Sequence, residues 1–295
     1  VYPDEFTGVL VKGRSNYLCK RRLDNASQRV YSLFEHDRQI EREMGLDLPI
    51  HEQYVRLVAH AVQGDLGTSY RTKQPVSDHI TSRLPNTAKL AAASLVLALA
   101  IGLTAGVLSA TFRNSWLDRI SMLIAVAGVS IPAFWLGLML ILLFSVRLGW
   151  FPVAGSQGWK YLVLPSFTLG LVLSAVLARI TRAGMIEALE QDYVRTARAK
   201  GLHEFFVVYR HALRNALIPI ITIVGLLIGS LLSGAVIIEA VFGYPGLGLL
   251  AVQSLTTRDF PMIQGIVLVV AVIYVVVNLI VDILYGFIDP RIKYS

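Results

Sequence analysis

Five uncharged apolar runs set the limits on what this chain can fold into. They occupy residues 90–110, 120–146, 161–178, 216–238 and 262–281, and none contains Asp, Glu, Lys or Arg. An α-helix needs about 20 apolar residues to cross the hydrocarbon core of a bilayer, so each run has, or nearly has, the length of one crossing. A soluble fold would have to bury all five, and the polar surface between them is too small to do so. Charged residues make up 16% of the 295-residue chain, against about 25% in ordinary soluble domains. They are also unevenly placed: residues 1–87 hold 23 of the 47. The pattern predicts an all-α polytopic membrane helix bundle over residues 88–295, with five spans, preceded by a polar segment over 1–87.

The basic residues orient this bundle. Arg113 and Arg119 lie in one short connection, and Arg291 and Lys293 lie in the tail. Seven more (Arg179, Arg182, Arg195, Arg198, Lys200, Arg210 and Arg214) fall within 179–215. The opposite side has only Arg147, Lys160 and Arg258. Cytoplasmic loops carry the excess of positive charge. Loop 179–215 and the C-terminus are therefore expected in the cytoplasm, and residues 1–87 outside. The net charge of +7 is then a membrane-face signal, with no need for nucleic acid. Cys19 is the sole cysteine, so neither an intrachain disulfide nor a cysteine metal cluster can form. There is no phosphate-binding glycine loop and no His-Glu-x-x-His pair, so no catalytic residue, metal or cofactor is assigned to this chain.

Small residues mark expected helix contacts. Gly102 and Gly106 are four apart, and Gly225, Gly229 and Ser233 continue at i, i+4, i+8. Such rows let backbones approach closely in lipid. Between the third and fourth runs, residues 185–200 (MIEALEQDYVRTARAK) are rich in helix formers. Acids come first and bases last, which suits the helix dipole, and Gly201 follows where a left-handed cap would fall. This predicts one self-contained helix over 187–201. Leu189, Tyr193 and Ala197 would share a face, flanked by Thr196 and Lys200. That face either enters a groove on a cytoplasmic partner or belongs to a solvated connector.

The wording of this loop resembles a known family. RTARAKG at 195–201 followed by HALRNALIPI at 211–220 is similar to the EAA loop of binding-protein-dependent ABC importer permeases. GLDLPI at 45–50, QGDLGTSY at 63–70, SIPAFW at 130–135, LGWFPVAG at 148–155, LPSFTLG at 164–170, FGYPGLG at 242–248 and NLIVDILYGFIDPRIKY at 278–294 extend the likeness. The resemblance is to the dipeptide/oligopeptide/nickel branch, with dipeptide and glutathione permeases nearest. It implies the type I importer permease fold and a second homologous permease subunit as partner. It also implies two ATPase subunits, which hold ATP and Mg, and an extracytoplasmic substrate-binding protein. The helix at 187–201 would be the coupling helix, with Tyr193, Arg195, Thr196, Ala197, Lys200 and Gly201 toward the ATPase. The cargo would be a di- or oligopeptide or glutathione; nickel chelates and oligosaccharides are carried by the same architecture.

Two other classes compete, a stand-alone secondary transporter and a non-transporting membrane protein. The runs lack the internal acids of a proton-driven pump, which favours the importer. Ser230, Ser233, Glu239 and Asn278 are candidates for the substrate pathway, each with a packing or interfacial alternative. Asp282 is expected to pair with a base such as Arg291, and FGYPGLG to form a tight re-entrant loop, with an outer gate or receptor-protein contact as its functional alternative. The family has six spans, so one more apolar helix is expected before GLDLPI in the full-length protein. Residues 51–63 should form an amphipathic helix on the outer surface, with Tyr54, Leu57, Val58, Ala61 and Val62 on one face.

Overall fold

A computed structural model describes residues 48–288. The expected additional span, Arg291 and the basic tail lie outside the described residues. The chain divides into two units, 1–63 and 64–295. The first unit's described helix is α1, Ile50–Val62. Tyr54, Val58 and Val62 are exposed, so the anticipated apolar face is uncovered within its own unit. The side chain of Leu57 is not among those described.

In the second unit, α2 spans Val76–Thr111 and runs straight through the boundary expected at residue 87. The division falls at 63/64 instead. The polar stretch 76–87 forms the first turns of this long helix. There follow α3 (Trp116–Ser130), α4 (Ala133–Leu140) and a π-helical extension of α4 over Ile141–Arg147. Next come α5 (Lys160–Leu189) and the short α6 (Asp192–Ala199). A single turn, α7 (Glu204–Phe206), passes through a π segment (Val207–Ala212) into α8 (Leu213–Val241). The last two helices are α9 (Leu247–Thr256) and α10 (Phe260–Ile288).

Among the described residues, three helices are long and apolar enough to cross a membrane: α2, α5 and α10 over Phe260–Val281. The number rises to five if each of two bent pairs is one span. The run 120–146, expected as one span, is two helices meeting at 102°. Pro132 is the cause. It starves the helix of a donor and pushes Ile131 into extended backbone (φ −86°, ψ 124°). Pro219 sits at the second bend, 56° between Glu204–Leu217 and Pro219–Gly229.

Lipid offers no hydrophobic force between helices, so close backbone approach has to hold the bundle. The α2–α5 seam is built that way. A Cβ on Gly102 would meet Leu177 Cβ at 2.8 Å, and one on Gly106 would meet Thr181 Cβ at 2.5 Å and the Ala178 carbonyl at 2.8 Å. Gly170 of α5 answers them, lying against Leu97 and the Ser94 carbonyl of α2. Gly225 and Gly229 of α8 admit Val281 and Tyr274 of α10 in the same way. The main core gathers Leu90, Leu177, Met185, Ile220, Leu231 and Ile238. A smaller cluster (Val76, Ile80, Leu247, Leu250, Met262, Ile266) closes the end where α2 begins.

Candidate functional site

The loop expected at 179–215 is mostly helix. α5 extends past the apolar run to Leu189, carrying Arg179 and Arg182 on its own turns. The single helix expected over 187–201 is broken at Glu190–Gln191, where Gln191 is extended (φ −72°, ψ 151°). Composition gives no sign of this break, but burial does. On α5 the buried positions run 177, 181, 185, 188, and on α6 they restart at Val194 and Ala197. Leu189 therefore ends the span helix and shares no face with Tyr193 and Ala197.

α6 ends as its glycine implies. Gly201 has φ +74°; its N–H donates to the Arg198 carbonyl at 2.9 Å, and Leu202 N–H donates to the Ala197 carbonyl at 3.3 Å. These are the two hydrogen bonds of a Schellman cap. Arg198 reaches across the turn to Glu204, with Nη2 donating at 2.6 Å and Nε at 3.2 Å. Val194 and Ala197 pack inward with Val207, Val208 and Ala212. Ala197, expected to face a partner, is only 5% exposed, so an Asp there would place an unpaired carboxylate in the chain's own core. Tyr193, Arg195, Thr196, Lys200 and Gly201 form the outward surface. No atom lies within 4 Å of where a Gly201 Cβ would be, so Gly201→Ala meets no clash. Its cost is the left-handed backbone alone, about 1 kcal/mol. We expect the variant to fold with its thermal midpoint lowered by about 2–4 °C; an unchanged midpoint would show that the cap geometry is dispensable.

A buried ionic cluster stands one corner away. Asp118, 3% exposed, accepts from Arg182 Nε at 2.6 Å and Nη2 at 2.8 Å. It also accepts from the Ser109 hydroxyl and from Asn114 N–H at 2.9 Å. Its own N–H donates to Ser115 Oγ at 3.2 Å, the N-cap of α3. One carboxylate thus joins the end of α2, the start of α3 and α5, ten residues before α6. Arg113 and Glu190 add an exposed pair at 2.5 Å beside the α5–α6 break. In sequence Asp118 stands beside Arg119 in a short polar connection, and nothing there marks it for burial.

At the other end of α2 are two more nodes. From sequence, Glu239 is expected at an outer interface or in the substrate pathway. It is instead fully buried, and its oxygens are occupied. Oε1 accepts from Thr87 Oγ at 2.7 Å, and Oε2 from Leu249 N–H at 3.0 Å. Thr87 Oγ in turn accepts from Leu247 N–H at 2.8 Å, and Asn86 Nδ2 donates to the Pro245 carbonyl at 2.9 Å. The carboxylate caps the N-terminus of α9 and folds the FGYPGLG turn over itself. This is the tight turn anticipated from the glycines, with the acid as its centre. The second node is Asp259, which accepts from Ser69 Oγ at 2.5 Å and Tyr70 N–H at 3.2 Å, fastening loop 64–75 to the α9–α10 turn. Burial, and then the charge of Asp259, raise the Tyr70 hydroxyl above its ordinary pKa.

Of the remaining pathway candidates, Asn278 donates to the Tyr274 carbonyl of its own helix at 2.9 Å. The side chains of Ser230, Ser233 and Asp282 lie outside those described. Among the described residues no group of His, Cys, Asp or Glu is arranged to hold a metal.

A bundle of continuous and bent apolar spans, with a short polar helix held on one end between them, defines a membrane-embedded permease. Residues 102–294 match the family described as binding-protein-dependent transport system inner membrane component, and the chain belongs to that family. It is 48% identical over 256 residues to the glutathione transport system permease protein GsiC of Escherichia coli K12, covering 87% of this chain and 84% of that protein. GsiC of Shigella boydii is 47% identical over the same length. In fold it is similar to inward-facing MetNI methionine ABC transporter structures, with a TM-score of 0.63 at 18% identity, over 72% of this chain and 96% of that one. An amino acid ABC transporter matches with a TM-score of 0.54 at 21% identity, over 73% and 95%. The chain is a permease subunit of an ABC importer and a component of the inner membrane.

Proposed function

We propose that this subunit imports glutathione or short peptides, forming half of a pathway completed by a second, homologous permease. Two ATPase subunits hydrolyse ATP, and an extracytoplasmic receptor delivers the cargo. The 48% identity to a glutathione permease over 87% of the chain carries the substrate reading. The outward surface of α6 supports the coupling role: Tyr193, Arg195, Thr196 and Lys200 project from a helix whose inner side is anchored by Val194 and Ala197. Purifying the complex with its receptor and identifying the retained ligand by mass spectrometry tests the cargo. Glutathione or a peptide is expected; a nickel chelate or an oligosaccharide would replace this reading.

The eleven-to-three excess of basic residues supports loop 179–215 and the C-terminus in the cytoplasm. In a Cys19-free background, Ala199→Cys should resist an impermeant thiol reagent added outside, and Thr256→Cys should react with it. Both positions are exposed. The reverse pattern would invert the topology.

A further inference from the structure

The start of the α8 span carries an open groove that the coupling role does not use. It is lined by Phe205, Phe206, Tyr209, Arg210, Leu213 and Arg214. The rings stack among themselves: Phe205 lies 4.7 Å from Tyr209 and edge-on to Phe206 at 5.8 Å. They are nonetheless 58%, 51% and 44% exposed for Phe205, Phe206 and Tyr209. Three large aromatic faces left open in one place need a cover.

We propose that this groove binds an anionic phospholipid of the leaflet next to 179–215. Depth is the first argument. From the bend at Pro219 to Ile238 the helix rises about 30 Å, matching a hydrocarbon core of about 30 Å, which brings Arg214, just before the bend, to the level of the headgroups. Charge is the second. Arg210 and Arg214 are exposed and four residues apart, and no ion pair engages either among the described residues. The nearest acid along the sequence, Glu204, is already bound to Arg198. Guanidinium groups match phosphate oxygens in a bidentate fork. The third argument is the order of the lining. Aromatic rings belong at the interface, and Leu213 and Leu217 lead from them toward the span, where an acyl chain would run. Phosphate on the arginines, glycerol beside the rings and a chain along the leucines make one amphiphile. A soluble protein surface meets the charge but not the depth.

The test is photo-crosslinking of the complete transporter in nanodiscs of mostly phosphatidylcholine with a minority of phosphatidylglycerol. Tyr209 is replaced by p-benzoylphenylalanine, and the adducts are identified by mass. Phosphatidylglycerol should be labelled roughly thirtyfold above its share of the bilayer, as expected for two basic residues near the surface. Arg210→Gln with Arg214→Gln should bring labelling down to that share, and the paired Lys variants should keep most of the preference. Labelling in proportion to composition, or enrichment indifferent to the arginines, would overturn the proposal. So would an adduct to the ATPase or the second permease, which would make the groove a protein interface.

Discussion

Asp118→Ala should destabilise the subunit by about 3 kcal/mol, the lower end of the cost of breaking a buried pair. The lower end applies because the Arg182 side chain keeps 26% of its exposure and so retains some solvation. The loss has three parts. Arg182 is left without its counter-charge at the end of the α2–α5 seam. Ser109, fully buried, loses its acceptor, and so does Asn114 N–H, which is held at a φ of +63° by the carboxylate. An unsatisfied buried donor costs about 1–3 kcal/mol, so the parts overlap rather than add. Asp118→Asn keeps the shape and one acceptor and should lose less. Thermal unfolding of the purified complex measures both, with a fall of roughly 5–10 °C expected for the alanine variant. An unchanged midpoint would mean that the three elements are held by helix packing alone. ATPase activity separates stability from coupling: because Arg182 lies on α5, which leads directly into α6, variants that still assemble should hydrolyse ATP with reduced dependence on cargo.

Gly248→Ala is the second large effect. The added Cβ would fall 2.4 Å from Val236 Cα and 3.0 Å from Glu239 Oε2. A side chain can rotate away from such a contact, but the backbone of α8 cannot. The α9 helix must move, and the Glu239 hydrogen bonds to Thr87 and Leu249 go with it. Overpacking of this kind costs about 1–3 kcal/mol and occasionally more; with the carboxylate's partners lost as well, we expect the upper part of that range. Glu239→Gln is the milder control. It retains an acceptor for Thr87, but turns an amide NH2 toward the Leu249 N–H and removes the negative charge at the start of α9, together worth about 1–2 kcal/mol. Limited proteolysis of the 242–260 region should rank Gly248→Ala above Glu239→Gln above wild type. Equal cleavage in all three would show that the turn is held by something other than this carboxylate.

The all-helical membrane class was legible because lipid imposes a one-dimensional rule. A helix must satisfy its own backbone and stay apolar for about 20 residues, and five runs did so. The cap at Gly201 was legible for a related reason: a left-handed residue is a local requirement, and glycine is its local answer. The glycine rows could be seen as contact surfaces, but not which helix each would meet.

Three-dimensional decisions were hidden by the same logic. The break at Glu190–Gln191 falls in a stretch with good helix formers throughout. It exists because α5 must pack along α2, while α6 must turn Val194 and Ala197 onto the 207–212 segment. Composition cannot express a change of burial phase. Nor could it tell an interfacial Glu239 from a buried one, since the donors at Thr87 and Leu249 lie 152 and 10 residues away. Asp118 is the same case, with Arg182 at a separation of 64. The sequence by itself determined which segments must be helical in lipid and where a glycine ends one of them. Only the tertiary structure decided which charges are buried, because burying a charge requires a partner, and its partner is close in space rather than along the chain.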